Sequence, residues 1–180
     1  MSLPMDDLTQ LEVSVSELLV ATADACDASL DHNITEVLRT LRERLKMDVV
    51  YCAEFVNGRR VMRQVAADED RPVVRVGESA ELEESWCHHV LEGRLPGFLP
   101  DATLHPVARL LAPAHPCSIG THISTPVVLS NGEVYGTLCS FTFSPQENPN
   151  PDDLRALELT ARLTALRIEA RRRQTRDGSD

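Results

Sequence analysis

Aromatic side chains are scarce in this chain: Phe, Trp and Tyr together make up 4% of its 180 residues. A core built from it must be packed largely with aliphatic groups, and a hydrophobic content of 42% supplies them in ordinary measure. No apolar run reaches the roughly eighteen residues of a membrane span, so none is expected. The opening MSLPMDDLTQLE has neither a basic start nor an apolar signal core, which argues against secretion. Cysteines are few, odd in number and scattered (Cys26, Cys52, Cys87, Cys117, Cys139), and without an export signal they read as reduced cytosolic thiols. Lys and Arg are missing altogether from residues 1–38. With a net charge of -10, the chain lacks the basic surface that nucleic acid needs as a main partner.

What is present is charge asymmetry. Residues 1–38 carry Asp6, Asp7, Glu12, Glu17, Asp24, Asp27, Asp31 and Glu36, whereas Arg155, Arg162, Arg167, Arg171, Arg172, Arg173 and Arg176 crowd the last helix. An acidic first helix and a basic last helix can lie side by side, within one molecule or across a dimer.

Hydrophobic periodicity gives the element order. Leu8, Leu11, Val15, Leu18, Thr22 and Ala25 form a helical seam over residues 6–26. Asp31 is expected to cap a second helix with Ile34, Val37, Leu38, Leu41 and Leu45 on one face. DVVYCAEFV (48–56) and RVMRQVAA (60–67) around Asn57-Gly58 predict a hairpin, followed by an extended PVVRV ended by Gly77. ELEESWCHHVLE predicts a helix closed by Gly93, and residues 94–118 an irregular connection with short helical turns. SIGTHISTPVVL and EVYGTLCSFTF flank Asn131-Gly132 and predict a second hairpin, with Pro126 marking an edge or bulge. Pro151 starts a long last helix with two apolar seams: Leu154, Leu157, Ala161, Thr164 and Ile168, then Leu159, Leu163 and Leu166. A helix apolar on two sides needs two neighbours, here its own sheet and a second helix. Short adjacent strands with segregated helices make an α+β domain with an antiparallel sheet.

SWCHHVLEG (85–93) places a thiol, two imidazoles and an indole side by side. Metal ligands on one helix must converge, which needs spacings of three or four, and consecutive residues point apart. Helical geometry sends Leu82, Trp86, Cys87, Val90 and Leu91 to one broad face, and His88 and His89 to the far side. Glu84 and Glu92 flank His88 at four residues, the spacing of an exposed, paired histidine. Cys87 then reads as a small buried hydrophobe beside Trp86.

Two stretches, VLEGRLPGFLPDA (90–102) and IGTHISTPVVLSNGEVYGTLCSF (119–141), resemble the GAF domain family. The second matches a strand entering a "vPl" step, a polar turn and a returning "GtLc" strand. The first resembles the helix-exit segment of a bacterial subgroup that often precedes cyclic-di-GMP or histidine-kinase modules. The resemblance implies a central antiparallel sheet of about six strands with helices on both faces and a ligand cavity between the sheet and residues 68–118. It also implies terminal helices that form a dimer bundle and pass signals to an output domain or signalling enzyme. The chain then divides into an N-terminal helix (1–28), a core (29–150), and a C-terminal helix with basic tail (151–180).

Within that frame Trp86, Cys87, Asp101 and His122 are the candidates to wall a cavity for an unidentified small molecule. Asp101 also suits an architectural role, capping the turn ATLHPVARLL. Alternation in SIGTHISTPVV can turn His122 inward, which makes it the best haem candidate, but the preferred reading is a polar edge histidine and haem is not expected. Bilin attachment is not expected: APAHPCSIGTH around Cys117 lacks the rest of that signature. The "GvCG" and "aCd" segments of the free methionine-(R)-sulfoxide reductases and the NKFDE-type set of cyclic-nucleotide binders are also missing. Cys117 beside His115 comes nearest to an activated thiol. The reading is a non-enzymatic, dimeric, cytoplasmic sensory domain; the alternatives are a purely dimerising module and a thiol-based redox sensor or enzyme.

Overall fold

A computed structural model of the chain describes residues 27–178 and positions 9, 10 and 13. The acidic seam expected over 6–26, and with it the N-terminal half of the expected bundle, lies outside the described residues apart from those three positions. Helix α1 runs Asp27–Leu45, so Asp31 sits inside it rather than capping it. No Gly or Pro interrupts that span, and nothing local stops the helix before Asp31. Its Ile34, Val37, Leu38, Leu41 and Leu45 are all buried, as their spacing predicts.

Strands β1 (Val49–Val56) and β2 (Arg59–Ala67) form the first hairpin, its turn made by Asn57 and Gly58 at positive φ. PVVRV is irregular, and β3 is instead Ser79–Glu81. The chain reverses at Gly77 (φ +88), whose N–H donates to the Met62 carbonyl, and this brings Glu81 opposite Arg59. Then come helix α2 (Trp86–Leu91), strand β4 (Phe98–Leu99) and helix α3 (Pro106–Leu111). Strands β5 (His122–Val128) and β6 (Val134–Phe141) form the second hairpin, and helix α4 (Asp153–Asp177) ends the domain.

The six strands make one antiparallel sheet in the order β3-β2-β1-β6-β5-β4. Alternation gives each strand two faces. Val50, Cys52, Ile123, Val127 and Leu138 point to one side, where α1 and α4 cover them. Val49, Tyr51, Ala53, Cys139 and Phe141 point to the other, covered by the connecting segment from Val74 through Trp86, Leu95, Leu99 and Ala108 to Ile119. β1 and β6 approach closely at Gly136, where a Cβ would collide with the Ala53 carbonyl oxygen. On α4 the first seam is buried apart from half-buried Leu154. The second seam is half-covered at Leu159 and Leu163, and Leu166 is 60% exposed among the described residues.

Candidate functional site

Ser85 sets the geometry of the wall. It is extended (φ -83, ψ 142), so the expected helix over 81–92 splits into a 3-10 turn at Leu82–Glu84 and α2. Its hydroxyl donates to the Leu82 carbonyl at 2.6 Å and accepts from the His88 N–H at 3.3 Å. Side-chain bonds of this kind compete with helix continuation and favour a cap. The cap aims Trp86 and Cys87 at the sheet, while Leu91 stays exposed. His88 meets Glu92 at 3.1 Å, as its spacing predicts. His89 does not face solvent. It is 8% exposed, because the chain after Gly93 (φ +73) folds back over it. Arg94 and Leu95 N–H groups donate to the His89 carbonyl, and the Arg94 guanidinium stands 3.3 Å from the His89 ring.

A cavity of about 480 Å³ opens in this wall. Its lining comes from four pieces: Trp86, the turn at Ala102 and Thr103, α3 with Ala108 and Arg109, and the loop from Ala112 through His115 and Cys117 to Ile119. His115 is wedged edge-on between Trp86 (6.2 Å) and Phe141 (5.4 Å). Its Nδ1 lies 3.0 Å from the Cys117 carbonyl oxygen and 3.5 Å from the Cys117 sulfur. Burial holds the His115 imidazole below its ordinary pKa, favouring the neutral ring, and burial pushes the Cys117 thiol up. Both directions run against a thiolate at Cys117.

Behind Trp86 stands His122, 1% exposed, with ring centroids 5.3 Å apart. Among the described residues neither nitrogen of His122 has a hydrogen-bond partner, and the Trp86 indole N–H has none either. Burial first, then His115 and Arg60, push the His122 imidazole down to about 3, so it is neutral throughout the physiological range. An isolated buried donor costs about 1–3 kcal/mol when left unpaired. Both groups lie in the same layer, next to the cavity.

Beneath α2 the sheet presents a second polar cluster. The Cys87 sulfur is 3.3 Å from the Ser85 hydroxyl, and the Cys139 sulfur 3.1 Å from that of Ser124. The two thiols interact with each other and with Thr137; Arg60, over the Tyr51 ring at 5.8 Å, adds its charge. Cys139 and then Arg60 hold the Cys87 thiol below its ordinary pKa, whereas burial holds Cys139 and Tyr51 well above theirs. Arg60 is largely buried, and the charges of Tyr51, Cys87 and Cys139 favour its protonated form.

Of the four sequence candidates, Trp86 lines the cavity, Cys87 and His122 lie beneath it, and Asp101 stands beside it. Asp101 caps the turn Ala102–Leu104, its Oδ1 accepting from the Thr103 N–H at 2.9 Å and the Thr103 hydroxyl at 2.5 Å. Arg60, Arg109 and Thr103 were not singled out by the sequence. Arg60 shares its sheet face with Met62, but a register shift at Cys52/Ala53 breaks the alternation that would have shown it. A second cavity of about 440 Å³, lined by Glu54, Arg63, Tyr135, Arg171 and Arg172, sits at the helix side of the sheet. Ion pairs Arg63–Glu54 (2.6 Å) and Arg172–Glu133 (3.4 Å) engage three of its charged lining groups. Among the described residues no group of three His, Cys, Asp or Glu side chains is placed to hold a metal ion, and no helix is long and apolar enough to cross a membrane.

Residues 27–169 match the family model of the GAF domain. The fold is similar to the GAF domain of an Acinetobacter phosphoenolpyruvate-protein phosphotransferase (TM-score 0.69, 17% identity, 93% of this chain and 95% of that one). It is similar to the phycocyanobilin-bound GAF domain of a cyanobacterial phytochrome (TM-score 0.68, 14% identity, 93% and 95%). It is also similar to the free methionine-R-sulfoxide reductase of Neisseria meningitidis, solved with its substrate (TM-score 0.65, 17% identity, 93% and 89%). No curated protein matches the sequence.

Proposed function

The chain belongs to the GAF domain family, and on that premise we propose that it is a sensory domain that binds a small molecule in the wall cavity and acts by conformational change rather than catalysis. The observation that carries this reading is the cavity of about 480 Å³ floored by Trp86, with partnerless polar groups of Trp86 and His122 beneath it. Natural interiors leave few such groups unpaired, and a site that changes state is one place where they are kept.

The output is α4. Trp86 leans on His122 at the start of β5, and β5 packs against α4. At the far end of the same hairpin, Glu169 of α4 accepts from both the N–H and the hydroxyl of Ser130, each at 2.6 Å. A ligand that shifts Trp86 thus has a continuous packed route to the last helix. That helix, with its exposed Leu166, pairs with a second copy and passes the change to a signalling partner, such as a cyclic-di-GMP or histidine-kinase module.

Two measurements test the reading. Screening small metabolites by melting temperature should find one that stabilises the fold, as a ligand bound only to the native state must. The same compound should change the distance between spin labels on paired α4 helices. A screen without stabilising compounds would overturn the sensor in favour of a purely dimerising module.

A second reading rests on Cys87 and Cys139, two thiols in one buried cluster beside Arg60. Hydrogen peroxide would oxidise the pair to a disulfide and be reduced to two waters, tying α2 to β6. Intact-mass analysis after peroxide decides it: loss of two hydrogens that vanishes in Cys87→Ser supports a redox sensor, and an unchanged mass removes it.

A further inference from the structure

The wall cavity has a charge character unlike the rest of the molecule. The chain carries a net charge of -10, yet among the described residues no Asp or Glu lines this cavity. Its one charged lining group is Arg109 on α3, and that guanidinium makes no ion pair among the described residues. Asp101, the carboxylate nearest in sequence to the lining turn, spends its Oδ1 on capping bonds to Thr103. Bringing one charge to an unpaired cation on an acidic protein selects for an anion.

The remaining lining defines the body of the guest. Ala102, Ala108, Ala112, Pro113 and Ile119 are apolar and short, and part of the Trp86 indole completes the lining. The indole is 4% exposed, and its N–H has no acceptor among the described residues. Such a donor is matched by a hydrogen-bond acceptor on the guest, because a site with an unpaired buried donor discriminates strongly for the partner that pairs it.

We propose that the cavity binds a small aromatic acid whose carboxylate meets Arg109 and whose ring carries a second acceptor for the Trp86 N–H. This rests on the reading of the cavity as a ligand site and narrows it to one chemical class. The ring lies against the indole and the Ala and Pro walls. Arg109, on the exposed side of α3, meets the carboxylate at the mouth.

Trp86 is the only tryptophan in the chain, so its fluorescence reports on the site directly. Three probes separate the contributions: nicotinate has the charge and a ring acceptor, benzoate has the charge alone, and nicotinamide has the ring acceptor without the charge. Nicotinate should perturb the Trp86 emission and bind at least tenfold more tightly than nicotinamide, and more tightly than benzoate. Arg109→Gln should reduce nicotinate to the level of nicotinamide with no change in melting temperature. Trp86→Phe, followed by melting temperature because the fluorophore is gone, should abolish the preference of nicotinate over benzoate. Raising the salt concentration should weaken the two acids and leave nicotinamide unaffected.

Equal binding of nicotinate and nicotinamide, or unchanged nicotinate affinity in Arg109→Gln, would overturn the anionic class. If no acid binds at millimolar concentration while uncharged metabolites raise the melting temperature, this inference falls and the sensor reading stands. If nothing in either series binds, both fall.

Discussion

The rings of Trp86 and His122 lie 5.3 Å apart, tilted by 52°, and neither the indole N–H nor either imidazole nitrogen reaches a partner among the described residues. A packed aromatic pair normally contributes stability beyond its buried area. Here it does so while leaving polar atoms unpaid, and one of its members sits on the wall of the cavity.

Acid should weaken this fold through His122. Its imidazole titrates near 6.5 in an unfolded chain and at about 3 in the folded one. Between those values the unfolded state binds more protons, so stability is complete above the upper value and falls as pH drops toward the lower one. The full window is worth on the order of 5 kcal/mol, and the lowered pKa values of His89 and His115 act in the same direction. Urea unfolding of the wild type from pH 7 to pH 4 should show this slope, and His122→Phe should flatten most of it.

Gly136 admits no side chain. Its Cβ would strike the Ala53 carbonyl oxygen at the Glu54 end of the β1–β6 ladder. Gly136→Ala should cost about 3 kcal/mol or more, at the upper end of overpacking substitutions, or prevent folding. Circular dichroism melts decide it; a melting temperature equal to wild type would mean the strands separate more readily than their register indicates.

Loss of the Ser85 hydroxyl should cost about 1 kcal/mol, the usual value of an N-cap. It should also free Cys87 from one of its contacts, since the same oxygen lies 3.3 Å from that sulfur. Ser85→Ala measured by urea titration, with Ser85→Thr as the conserving control, separates the cap from a general packing effect.

The clasp between Glu169 and Ser130 is exposed, and its removal should barely alter global stability. Its signature is local. Glu169→Ala should speed hydrogen exchange at the Ser130 amide while the amides of β5 and β6 keep their protection. Unchanged exchange at Ser130 would show that α4 does not hold the hairpin turn.

The sequence is most legible where one local signal suffices. The spacing of Ile34, Val37, Leu38, Leu41 and Leu45 gives the buried face of α1, and Asn131-Gly132 gives the second hairpin. Where a side chain competes with the backbone, legibility fails. Ser85 breaks an otherwise helical pattern with two bonds of its own, which shortens α2 and moves the segment that covers His89. The third strand is displaced for a related reason, because Gly77 turns the chain before pairing begins. Trp86 and Cys87 are visible as a core face of a helix. The cavity above them is not, since it needs α3 and the loop at His115 from elsewhere in the chain. Arg60 stays hidden behind a register shift, and Arg109 looks like any exposed helical arginine.

Strand β4 pairs only Phe98 and Leu99 with β5, and the Gly97 carbonyl accepts one more bond from the Ser124 N–H. Beyond that point the rim of β5 is open among the described residues, and every second residue along it would offer a donor outward. Two residues after Ser124 stands Pro126, which has no N–H to offer. A foreign strand laid against this rim meets a position with no donor, which blunts the edge against fibre-like extension.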